Sequence, residues 1–342
     1  MSLIDVELQY DPFSHLKTNI LMCQATYNAD NDKQQHREQH RAQHRARNPL
    51  EDEENRAATA YDDDSSSDSN SSDSDEDQKW RLTGEEKQAV RELQQAADDE
   101  GLFYQNLFEL VKYVIVVRSI EPKVELRADA ALERLRNRHQ WMQKHQLLHD
   151  DMMKRSWREA HATVAQHTGQ HFVQRYARDG GRRAVVATHM AADVPLDYIQ
   201  ASSENMRLYM VAAMYRMDMG AVDLVEARRG MALCTISDHQ LTLGRAFKYV
   251  KFMKLTASDM KDMHPHTVKA VHAEVPSWVA HLLPVVKHVL PRKVAERVHA
   301  YSSLKKMDQT LQAFDDTSLS AEEWARRREA RYQETVDKVS LD

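Results

Sequence analysis

Glycine and proline are scarce, eight of each in 342 residues. Tight turns and left-handed backbone positions should therefore be few, and helix should dominate. Cysteine is scarcer still: Cys23 and Cys234 lie far apart in sequence, so no disulfide framework is expected and a reducing compartment fits. No run of about 18 apolar residues occurs, and the stretch around Asp5 and Glu7 has no apolar core of signal-peptide length. A soluble cytoplasmic protein is the expectation. Catalytic signatures are missing as well. There is no Gly-x-Ser-x-Gly elbow, no phosphate-cradling glycine loop and no Cys-x-x-Cys, so an enzyme is not expected, and neither is a metal or a cofactor.

What is present begins with a charge split hidden in the net charge of -6. Residues 1–79 carry 8 basic and 18 acidic side chains of the chain's 47 and 53, which leaves 39 basic against 35 acidic in residues 80–342. A mildly basic body follows an acidic tail. The body favours anionic surfaces, and the tail can compete for the same patch. Within residues 1–79, Asp62 to Asp77 contains nothing that could enter a core, so disorder is expected there. The tetrapeptide repeat of His36, His40 and His44 would align the histidines on one helix face, but the interleaved arginines repel a cation.

From Trp80 onward the pattern is ordered. Thr83-Gly-Glu-Glu86 resembles a capping box. Helices are expected over about 85–95, 103–117, 128–144 and 151–174. In the third, Ala131, Leu132, Leu135, His139 and Met142 share one side, while Arg134, Arg136 and Arg138 lie elsewhere. Residues 80–175 thus read as a helical domain and residues 176–342 as an α/β domain with a closing helix. Arg178 to Arg183 is a turn signal before the strand 184–190, and residues 195–219 form a helix carrying Met206, Met210, Met214 and Met217 at helical spacing. A methionine stripe serves as ordinary core or as an adaptable wall for an apolar ligand.

The stretch from Gly230 to Arg297 organises the rest. Met231 to Ser237 and Val268 to Ala273 read as buried strands, and 297–302 as a last one. Between them, Pro276 to Arg297 is too apolar for an ordinary surface helix, with Trp278, Val279, Leu282, Leu283 and Val286 among its residues. An apolar helix broken by Pro284 and lying over a sheet makes a lid, and a cavity beneath it would suit a water-insoluble molecule. Its basic end, Lys287, Arg292, Lys293 and Arg297, would face an anionic membrane. Asp238 reads as a loop or cap residue, and His272 as a satisfied core histidine.

The ordered series of elements resembles the CRAL-TRIO lipid-binding family. Leu132 to Trp141 is similar to its N-terminal helical domain, Asp179 to Val186 to its opening strand, Thr235 to Asp238 to a strand ending in aspartate, His264 to His272 to a segment leading into the next strand, and Pro276 to Val298 to its gate helix. The resemblance covers about 108–339. It implies a helical domain followed by an α/β sandwich with an apolar pocket under a gate helix, and a ligand such as a retinoid, tocopherol, sterol or phospholipid. It also implies phosphoinositide contacts at Lys269, Lys293 and Arg297, and peripheral association with membranes rather than with nucleic acid. The chain has Ala273-Glu-Val-Pro276 where the family has Ile-Asn-x-Pro, and it lacks the family's Pro-x-Glu-Tyr-Gly-Gly segment. On those departures rests the alternative reading, an adaptor that kept the fold without a lipid cargo.

Overall fold

Thr83 caps the first described helix. Its hydroxyl accepts from the Glu86 amide at 3.2 Å while the Glu86 carboxylate accepts from the Thr83 amide at 2.9 Å, the reciprocal capping box expected. In this computed structural model the described residues are 80–118, 121, 123–149, 151–168, 173–190, 196–237, 260, 262–278, 280–281, 295–314 and 319–342. The chain divides into two compact units, Met1–Asn70 and Ser71–Asp342, and every described residue belongs to the second. The histidine repeat and the acidic serine tract lie outside the described residues.

The first helix, α1 (Gly84–Asp99), buries Ala89, Val90, Leu93 and Ala97 on one face. Helix α2 (Leu107–Arg118) is buried almost all round, as its sequence LFELVKYVIVVR demands of a central helix. Around it pack α1, α3 (Arg127–Lys144) and, from the far end of the chain, α9 (Ala321–Lys338). Helix α4 (Met152–Thr168) ends earlier than its sequence suggests, and Val173–Gln174 forms a strand, β1. Gln174 is the reason: its fully buried carboxamide donates to the Tyr176 carbonyl at 2.8 Å and to the Val185 carbonyl, and accepts from the Ala187 amide at 3.1 Å. It bridges sheet backbone that would otherwise lack partners.

A mixed sheet of six strands stands beside the helices, in the order β6-β5-β4-β3-β2-β7. Its strands are β2 (Tyr176–Arg178), β3 (Ala184–Met190), β4 (Met231–Ser237), β5 (Val268–Glu274), β6 (Val298–Tyr301) and β7 (Gln312–Ala313). The pairs from β3 to β6 are parallel, and β2 runs antiparallel to both its neighbours. The mixed α/β class expected from the sequence is present, with strands β3 to β6 at the expected places. The helix expected over 195–219 is two, α5 (Leu196–Ala201) and α6 (Ser203–Asp218), because Ser202 caps the second by accepting from the Asn205 amide at 3.0 Å. A short helix, α7 (Leu224–Arg229), leads into β4 through Gly230 at φ 75°. A Cβ there would lie 2.6 Å from the Thr267 carbonyl oxygen, so the strand entry needs glycine. Helix α8 (Leu304–Asp308) and strand β8 (Leu319–Ser320), which pairs with β1, complete the body.

Arg138 of α3 departs from its sequence reading as a residue off the apolar face. It is 1% exposed. Its Nε lies 2.9 Å from Glu109 Oε1, and its terminal nitrogens bond both oxygens of Asp218, at 3.2 and 2.6 Å. Burial opposes the charge, and the attraction of Asp218 and Glu109 outweighs it, so the guanidinium stays ionised.

Candidate functional site

Alternation along the parallel strands sends neighbouring side chains to opposite faces of the sheet, and the two faces differ. On one, Val185, Ala187, Ala232, Cys234, Ile236 and Ala270 form a closed cluster with Met307 and Leu311 from α8 and the turn after it. His272 and Glu274 continue this face and are buried. Burial pushes the Cys234 thiol up, so it is a neutral core group rather than a nucleophile.

His272 is the buried core histidine the sequence reading expected, but only its Nδ1 is in hydrogen-bond contact, so it is not fully satisfied. Its Nδ1 is 3.0 Å from the Tyr301 hydroxyl, its Nε2 is 3.5 Å from Asp179 Oδ2, and its ring stacks on His299 at 5.1 Å. Asp179 also accepts from the Gly181 and Arg183 amides and from Arg183 Nε, at 3.0, 2.9 and 2.8 Å. Burial alone would raise its pKa, but these partners outweigh burial and hold the carboxyl well below the usual range. The cluster ties β5 and β6 to the turn between β2 and β3. It holds the fold together, with the Cys234 thiol as the register partner of His272 on β4.

The opposite face opens gradually. Register aligns Val186, Leu233, Val271 and Val298 in one row, and Thr235, Ala273 and Ala300 in the next. Val186 is buried in the main core, while Leu233, Val271, Val298, Thr235, Ala273 and Ala300 are all half-buried. An apolar band three strands wide thus keeps surface that the opposite face has lost. The sequence reading had β4 and β5 as buried strands. Their common face follows from register, which a single strand does not disclose.

Of the residues singled out for a lipid wall, Met210 and Met214 are 5% and 0% exposed, inside the core with Trp141, Trp157 and Tyr215. Met206 and Met217 are half-buried against that core, which Leu233 and Val268 also touch. Trp278 is 40% exposed. Val279, Leu282, Leu283 and Val286 lie outside the described residues, as do Lys287, Arg292 and Lys293. Lys269 and Arg297 are half-buried at the same end of the β5–β6 pair: Arg297 Nη1 donates to the Val268 carbonyl at 3.2 Å, and its carbonyl accepts from the Val271 amide at 2.8 Å.

Among the described residues no three His, Cys, Asp or Glu side chains gather as a metal site. No described helix is long and apolar enough to cross a membrane. No protein-family model matches the chain, and no curated protein matches it.

Proposed function

We propose that this chain holds a hydrophobic lipid against the half-buried face of its sheet, in the manner of the CRAL-TRIO proteins its sequence resembles, and docks on phosphoinositide-bearing membranes through a basic edge. The observation that carries this reading is the contrast between the two faces of one sheet. The face under α8 is sealed, and the row Leu233, Val271 and Val298 is not. Apolar surface left half-exposed contributes about 25 cal/mol per Å² to whatever covers it, so a cargo of water-insoluble chemistry fits the band better than solvent does. Helix α6 brings Met206 and Met217 to the adjoining core, where soft side chains adapt to ligands of different outline. Lys269 and Arg297, held at one end of β5–β6, are the described part of the docking edge. On this reading the protein is a cytoplasmic, peripherally membrane-associated carrier rather than an enzyme, and the lipid is a retinoid, tocopherol, sterol or phospholipid.

Native mass spectrometry with lipid extraction tests the cargo. The purified protein should carry a lipid, and Val271→Asp, which places a charge in the band, should remove it while circular dichroism stays unchanged. Absence of lipid from the unaltered protein refutes the carrier. The adaptor reading then stands on Trp278, whose exposure suits a protein contact, and Trp278→Ala should weaken binding of that partner.

A further inference from the structure

Between β2, the start of β3 and α9 lies a cavity of about 160 Å³, beside the half-buried band of β4 to β6 rather than over it. Part of its wall is aromatic and aliphatic, with Phe314, Leu319 and Trp324, and part is cationic, with Arg178, Arg327, Arg328 and Arg331. Among the described residues, three carboxylates answer those four guanidiniums. Glu226 takes Arg178 Nη1 at 2.5 Å and Arg328 Nη1 at 3.0 Å, with Arg331 Nη1 at 3.8 Å. Asp223 takes Arg331 Nη2 at 2.6 Å, and Glu323 takes Arg327 Nε at 2.7 Å while also binding Arg326 at 2.8 Å. Among the described residues the guanidiniums that line the cavity outnumber these carboxylates by one. The Arg216 guanidinium lies over the Trp324 ring, 4.7 Å from the centroid.

The geometry also says which nitrogens are committed. Arg328 spends Nε on the Met219 carbonyl at 2.8 Å and both terminal nitrogens on Glu226, so it is a fixed post. Arg327, which lines the cavity, bonds Glu323 through Nε, and no described partner takes its two terminal nitrogens. A guanidinium edge recognises a carboxylate with two parallel hydrogen bonds. An apolar cavity of about 150 Å³ accepts a single benzene ring, and flat rings pack well on aromatic walls.

We propose that this cavity is a binding site for a small monoanion: a carboxylate on a flat apolar body of about one ring. The carboxylate meets the guanidinium rim at Arg327, and the ring lies against Phe314 and Trp324. The site does not depend on the lipid reading, because it lies elsewhere on the sheet and is too small for a lipid chain.

Calorimetric titration of the full chain with benzoate, benzamide and inorganic phosphate tests it. Benzoate should bind saturably, and uncharged benzamide should bind at least about tenfold more weakly, since it loses the charge-assisted bonds. Arg327→Gln should weaken benzoate about fivefold or more without moving the urea midpoint, because Arg327 is half-exposed and the Glu226 cluster survives its loss. Ala177→Leu, which fills the cavity from β2, should abolish binding in a chain that still folds. The proposal is overturned by any of four results: no saturable benzoate binding, equal affinity for benzoate and benzamide, phosphate binding tighter than benzoate, or indifference to Arg327→Gln. Binding of benzoate solely after Asp315→Asn and Asp316→Asn also overturns it, by showing that the chain's own carboxylates serve the rim.

Discussion

Two buried ion clusters sit in this body, and they are near inversions of each other. Around Arg138 one guanidinium lies between two carboxylates, Glu109 and Asp218, and Lys112 adds a second cation, its Nζ 3.4 Å from the Asp218 carbonyl and over the Phe108 and Tyr332 rings. Around Glu226 one carboxylate lies among three guanidiniums, with Asp223 as the second anion. The first cluster balances and is sealed: Arg138, Lys112 and Glu109 are each 3% exposed or less. Among the described residues the second has three guanidiniums to two carboxylates, and it opens on a cavity. Balance is what a sealed interior requires, because an uncompensated charge there has neither water nor partner. Excess is tolerable where solvent or a ligand can supply the missing charge.

The sharpest way to break the comparison is at the sealed cluster. Arg138→Met removes the cation between Glu109 and Asp218 and leaves two carboxylates buried, and should destabilise the fold by about 3–5 kcal/mol. Urea denaturation measures it. A loss below about 1 kcal/mol would mean that the two acids take up protons or water at no cost, and that the cluster does not depend on balance.

The difference between the clusters was hardly visible in the sequence. Helices and strands with strong periodicity were legible, as β3, β4, β5 and the capped start of α1 show. So was the core role of His272. Arg138 was not, because one arginine among Arg134, Arg136 and Arg138 carries no local mark of burial; its partners are 29 and 80 residues away. Glu226 is hidden in the same way, bonded to Arg178 across 48 residues and to Arg328 across 102. Short strands β1, β2, β7 and β8 have two or three residues each, too few to show a period of two, and long-range pairing makes them. The open sheet band was half legible: its residues were seen as strand, its shared face was not.

A second, smaller effect sharpens the account of the sealed cluster through pH. His264 and His266 lie beside it. Burial pulls His264 down to about 4, with Asp218 opposing and Arg138 and Arg134 assisting; burial, with Lys112 and His264 next, holds His266 well below the ordinary histidine range. Both are neutral in the folded chain where the unfolded chain takes up protons. Their contribution is therefore complete above pH ~6.5 and is lost as pH falls toward about 4. His264 keeps part of its surface in water, so a loss of about 2 kcal/mol between pH 6.5 and 4 is expected from it. Urea midpoints across that range should flatten in His264→Gln. An unchanged slope in that variant would assign the acid lability to other groups.

The smallest expected effect is the most telling about the open cluster. Arg178→Gln removes one of the three cations at Glu226, yet Arg328 still bonds both oxygens of that carboxylate and Arg331 stays within 3.8 Å. Glu226 is buried, which alone would raise its pKa, and Arg328 comes before Arg178 among the groups that outweigh burial and hold it ionised. With Arg328 in place the carboxylate stays charged and partnered, so the cost should be about 1 kcal/mol, the worth of one hydrogen bond, rather than that of an orphaned ion. The same substitution lowers the positive charge at the cavity, and benzoate should bind more weakly in proportion. A cost as large as that of Arg138→Met would mean that all three arginines are needed to hold Glu226, with no cation to spare for a ligand. A small cost together with weaker benzoate binding would place the surplus charge at the cavity, where the sealed cluster has none.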